Sequence, residues 1–145
     1  MKEIRVNNGK KMEKIMEAVG ETGARIKKEE NWDLSVYIAE RGKNFVRIEM
    51  CESKSIGGDL IMDPFMEIVL KKKGEGHIAG AIPVAYQSDN IYIGRTDINK
   101  KGEIFLNRVL LETKEGELDR RLEEWLNSIQ LLGYLEKPNE ILFHT

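Results

Sequence analysis

Leu34-Ser35-Val36-Tyr37-Ile38-Ala39, followed by Arg41-Gly42-Lys43-Asn44 and then Val46-Arg47-Ile48-Glu49-Met50-Cys51, reads as two strands joined by a turn. Leu34, Val36 and Ile38 fall on one side of an extended chain and Ser35, Tyr37 and Ala39 on the other. After the turn, Val46, Ile48 and Met50 alternate in the same way with Arg47, Glu49 and Cys51. A period of two with one apolar and one mostly polar side marks a hairpin that buries a single face. That choice leads to an antiparallel sheet and requires something apolar to cover it.

Downstream the alternation returns at Met66, Ile68 and Leu70, breaks at Lys73-Gly74-Glu75-Gly76, and resumes through Ile78, Ile82, Val84 and Tyr86. This predicts a second hairpin. Gln87-Ser88-Asp89-Asn90 and Asn99-Lys100-Lys101-Gly102 are further turns, with short strands at Ile91-Tyr92-Ile93 and Ile104-Phe105-Leu106. Upstream, period-two alternation begins at about Ala24.

The covering elements lie at the two ends. Met12, Ile15, Met16 and Val19 are spaced i, i+3, i+4, i+7 and share one helical face, with Asn7 or Asn8 as expected caps and Gly20 as the stop. Leu118, Leu122, Trp125, Ile129 and Leu132 form a second stripe that Leu126 widens and Gly133 ends. Glu117 and Arg121 stand in the favourable i, i+4 order, and Glu115, Glu117 and Asp119 sit near the positive end of the helix dipole. The expected architecture is one two-layer α+β domain over residues 1–145: an antiparallel meander of hairpins under an N-terminal and a C-terminal helix. The status of Glu140-Ile141-Leu142-Phe143-His144-Thr145 stays open between an edge strand and a docked end.

A chain of 145 residues can bury a core without disulfides or a metal. Its net charge of -2 and pI near 5.8 give no overall attraction to nucleic acid. No apolar run approaches the roughly 18 residues of a membrane helix, no signal-peptide core is visible at Met1–Asn7, and one cysteine, Cys51, makes no internal disulfide. These features suit the cytoplasm.

In an uncrossed meander, alternate turns fall at opposite ends of the sheet. One end then gathers Arg41, Lys43, Lys71, Lys72, Lys73, Lys100 and Lys101, and the other gathers Asp59, Asp63 and Asp89. The plainer reading is that these charges keep exposed turns soluble. The acidic group also suits a divalent cation and metal-assisted hydrolysis, against the simpler roles of Asp59 and Asp63 as turn formers.

Other chemistry is poorly provided for. Asp97–Gly102 imitates the start of a calcium loop, but Lys101 and Arg108 stand at positions that need ligands. His77 and His144 have no third zinc ligand at suitable spacing, Cys51 has no histidine close in sequence, and neither Gly57-Gly58 nor Gly74-x-Gly76 opens a helix to hold phosphate. No cofactor is expected.

The segment Gly57-Gly58-Asp59-Leu60-Ile61-Met62-Asp63-Pro64-Phe65-Met66 contains Asp-Leu-x-x-Asp-Pro-x-Met. This motif resembles the signature of a small uncharacterised domain carried on bacterial conjugative transposons, plasmids and phages. Pro83, Tyr86 and Asp89 match that domain's Pro-x-x-aromatic-x-x-Asp element, and Trp125-Leu126 is similar to its helical tryptophan-leucine pair, so the resemblance covers about residues 57–134. Phe65 stands where the pattern has an acid, which removes a carboxylate from any metal or acid-base site. The resemblance implies an accessory domain of a mobile element, with Asp59, Asp63, Tyr86 and Asp89 as its candidate cluster. The expected partner is a protein, ahead of a hydrolytic substrate and of nucleic acid at the basic end, where Phe45 is nearly the only aromatic.

Overall fold

The computed structural model describes residues 3–88, 91–93, 96–98, 104–106 and 116–145, the three short segments by backbone only. Helix α1 (Glu3–Val19) leads into β1 (Gly23–Lys27), β2 (Asp33–Arg41), β3 (Phe45–Ile56), β4 (Asp59–Lys72), β5 (Ile78–Ser88) and β6 (Ile91–Ile93). The short strands β7 (Thr96–Ile98) and β8 (Ile104–Leu106) follow, then α2 (Glu117–Leu132) and β9 (Glu140–Phe143). Among the described residues the main sheet has seven strands in the order β6-β5-β4-β3-β2-β1-β9, and every pairing in it is antiparallel. The expected α+β meander is therefore present. No helix among the described residues is long and apolar enough to cross a membrane.

Both helices lie on one face of the sheet. Met12, Ile15 and Val19 from α1 and Leu122, Trp125, Leu126 and Ile129 from α2 join Ala24, Ile26, Leu34, Val36, Val46, Ile48, Met50, Met66, Ile68 and Leu70 in one buried core. Burying such a side chain contributes roughly 1.5–3 kcal/mol each before chain entropy is counted. Gly9 permits α1 to approach β5 closely, because a Cβ there would lie 2.9 Å from Gly80 Cα. On the opposite face Phe45, Val69, Ile82 and Val84 form a smaller cluster.

Several local expectations change. Helix α1 begins at Glu3, so Asn8 lies inside it, fully buried, and donates from Nδ2 to the Asp119 carbonyl at 3.2 Å instead of capping. Asp119 in turn accepts from Arg5 Nε at 3.0 Å, which ties the start of α2 to α1. Gly133 ends α2 as expected, with φ 76° and its N–H donating to the Gln130 carbonyl. The open question of the tail resolves: β9 pairs with β1, placing Phe143 opposite Ala24 and Ile141 opposite Ile26. Among the described residues, β7 and β8 pair with each other and not with the main sheet.

The largest departure concerns residues 52–64. The segment before Met66 reads from sequence as a connection, yet β4 starts at Asp59 and pairs with β3 to the tip, Ile56 opposite Asp59. Gly57 and Gly58, at φ 59° and 88°, form the two-residue loop. Positive φ at both central positions suits the twist of a hairpin and is accessible to glycine without steric cost.

Candidate functional site

Beyond Ser53 the strand β3 has no further partner in β2, and β5 pairs with β4 only from Phe65 onward. Among the described residues, 54–56 and 59–62 therefore pair only with each other and project past the paired sheet by roughly 10 Å at strand rise. Cross-strand neighbours share a face, so the register gives this arm two sides. Ile56 and Ile61 lie on the helix side with Lys54 and Asp59. Leu60 and Met62 lie on the other side with Ser53 and Ser55. Ile56, Leu60, Ile61 and Met62 are 52%, 55%, 40% and 53% exposed. A lone two-stranded ribbon is marginal in water, and apolar side chains on both its faces do nothing to stabilise it there.

At the root of the arm, Glu52 faces the helices. Trp125 Nε1 donates to Glu52 Oε2 at 3.1 Å, and the Tyr134 hydroxyl proton is shared between the Trp32 carbonyl and Glu52 Oε1, the latter at 3.3 Å. Burial pushes the Glu52 carboxyl above its ordinary value; the two hydrogen bonds pull it back in part, and the charge of Asp63 pushes it up again. Burial and the neighbouring Glu52 charge likewise raise the Tyr134 hydroxyl, which stays a proton donor. The assembly joins β3, α2 and the β1–β2 turn.

Of the predicted cluster, Asp59 and Asp63 stand apart along β4. Asp59 is exposed at the arm tip, and Asp63 lies four residues further along the same strand, about 13 Å away at strand spacing. Asp63 accepts from Ser88 Oγ at 2.6 Å and sits where β4 carries an extra residue against β3, at a cis Asp63-Pro64 bond. Tyr86 faces the helices, buried, with the Arg121 guanidinium 4.9 Å over its ring. Arg121 also pairs with Glu117 at 3.1 Å, the expected i, i+4 bridge. Asp89 lies outside the described residues. Among the described residues no group of three or more His, Cys, Asp or Glu side chains is arranged to hold a metal ion.

Cys51 is buried on the face away from the helices, and burial pushes its thiol up to about 11. A thiol held protonated in this way is a poor nucleophile.

The other end of the sheet gathers the turns at 42–44 and 73–77, bridged by the Lys72 N–H donating to the Asn44 carbonyl at 2.9 Å. Arg41, Lys43, Lys71, Lys72 and Lys73 therefore do share an end, while Lys100 and Lys101 lie outside the described residues. An open groove of about 810 Å³ runs between α1 and this end. Lys10, Lys14, Arg41 and Lys72 line it, but so do Glu13, Glu17, Glu21 and Glu75. Glu13 is already engaged, accepting from the Ile78 N–H at 2.8 Å with His77 Nδ1 at 3.7 Å. The lining is balanced in sign, which gives a phosphate backbone little to hold.

Comparisons with protein-family models, with curated proteins and with solved structures gave no match to this chain. Glu52 and Tyr134 are not singled out by sequence reading, and the stretch 57–66, which is, reads there as a connection and not as a hairpin arm. Gly-Gly between apolar residues was a usable hairpin signal, whereas the uninterrupted Leu60-Ile61-Met62 concealed the alternation.

Proposed function

We propose that this protein is a non-enzymatic interaction module that binds a protein partner through the β3–β4 arm. The single observation that carries the reading is the exposure of Ile56, Leu60, Ile61 and Met62 on both faces of a ribbon that, among the described residues, has no strand pairing beyond its own two strands. Exposed apolar side chains gathered in one place mark an interaction surface more often than a solvent-facing one. A ribbon apolar on both faces suits a cleft that takes it from two sides. The resemblance of Asp59–Met66 to the mobile-element domain supplies the setting: an accessory protein of a conjugative element or phage, acting by assembly with another protein. The separation of Asp59 from Asp63 weakens the hydrolase alternative, since a hard cation needs oxygens converging to about 2.0–2.6 Å.

Site-specific photo-crosslinking in the source cell tests this. A photo-reactive residue in place of Leu60 is expected to give a discrete protein adduct, and the same residue in place of Lys73, at the opposite end, is expected not to. Identical adducts from both positions, or none from position 60, would count against the arm.

A further inference from the structure

Strand β9 is an outer edge of the main sheet, and among the described residues no strand pairs with its free side. Sheet edges in natural proteins are usually blunted by lysine, proline, a bulge or a covering loop. Here the edge is Glu140-Ile141-Leu142-Phe143, with Leu142 42% and Phe143 58% exposed and no basic residue or proline within the strand.

The direction of the main-chain groups is fixed by the pairing with β1. His144 N–H donates to the Gly23 carbonyl at 2.9 Å, and antiparallel alternation from that bond turns Leu142 and Glu140 toward their β1 partners Arg25 and Lys27. Ile141 and Phe143 are left with their N–H and C=O groups pointing outward. These are the groups a further strand would need.

We propose that the β9 edge pairs with the β9 edge of a second copy of this chain, antiparallel about a two-fold axis through Leu142. The side chains select this register. With the axis at Leu142, Ile141 stands opposite the partner's Phe143 on the helix side, Leu142 opposite its equivalent on the other side, and Glu140 opposite the partner's His144. Moving the axis to Ile141 would set Glu140 against the partner's Leu142 and Asn139 against the partner's Phe143, polar against apolar in both cases. The chosen register forms four main-chain hydrogen bonds, two from Ile141 and two from Phe143, and leaves apolar pairs facing each other. Because the contact is its own complement, it closes as a dimer and does not propagate. Its small size makes it a weak dimer, formed at high local concentration. It uses neither the arm nor any residue of the proposed protein-binding surface.

Sedimentation equilibrium over a concentration series provides the test. Wild type is expected to pass reversibly from monomer to dimer. Leu142→Lys sets like charges directly opposite each other at the axis and is expected to abolish association, with an unchanged circular dichroism spectrum because the site is a half-exposed surface position. Leu142→Glu alone should also be monomeric, and an equimolar mixture of the two variants should restore a heterodimer. Leu60→Lys, on the arm, should dimerise as wild type does. A wild type that is monomeric at every concentration, a Leu142→Lys variant that still dimerises, a mixture that does not associate, or a Leu60→Lys variant that loses the dimer would each overturn the proposal.

Discussion

Between Val46 and Met50 on β3, and between Met66 and Leu70 on β4, the side chains facing the helices are at most 5% exposed. A few residues further along the same two strands, Ile56, Leu60, Ile61 and Met62 are 40 to 55% exposed. The residue types scarcely differ; what differs, for Ile56 and Ile61 on the helix side, is whether α1 and α2 lie overhead, while Leu60 and Met62 face away from the helices. Apolar character in the first stretch holds the domain together, and in the second, among the described residues, it stays exposed. The two ends of one ladder can therefore be separated by experiment.

The largest effect is expected where the helices meet the sheet. Trp125→Ala removes a core side chain and the donor to Glu52, and should lower stability by about 3–5 kcal/mol in chemical denaturation. Unchanged stability would mean that α2 does not cover this part of the ladder and that its two ends are alike.

An intermediate effect, readable in pH, belongs to Glu52 at the boundary between the two regions. Its folded-state carboxyl is raised above the ordinary 4.5, so the folded chain holds this proton more tightly than the unfolded chain. The contribution is then fully present below the unfolded value and is lost as pH rises through the folded one. Glu52→Gln cannot ionise, so its stability relative to wild type should rise across that window and level off once Glu52 is fully charged. A difference independent of pH would show that Glu52 stands in water like the arm beyond it.

The smallest effect is expected on the arm itself. Ile61→Ala should change stability by no more than about 0.5 kcal/mol. A loss as large as that at Trp125 would place the arm in the structural core and remove the argument for a binding role.

The sheet and its two helical covers were legible because their signals are periodic and local: 34–51 alternates with period two, and 118–132 repeats a helical stripe. The arm was not legible because its meaning depends on where β2 and β5 stop pairing, which no property of Leu60 or Met62 records. Glu52 was hidden for the same reason, since the partners of its carboxylate lie 73 and 82 residues away in the chain. Asp63 stands out in the sequence as an acid before a proline, and the structure gives it a hydrogen bond from Ser88, about 13 Å along the strand from Asp59.

The pairing of β1 with β9 has a consequence in time. Ala24 and Phe143 are cross-strand partners, so during synthesis the outer side of β1 waits for 119 further residues to be made. At about 5–20 residues per second the interval is on the order of ten seconds. The β1–β2 and β2–β3 pairings are local and can form well before that. The nascent domain thus carries an open strand edge at β1 while it is still attached to the ribosome, and whatever attends it there has that edge to shield.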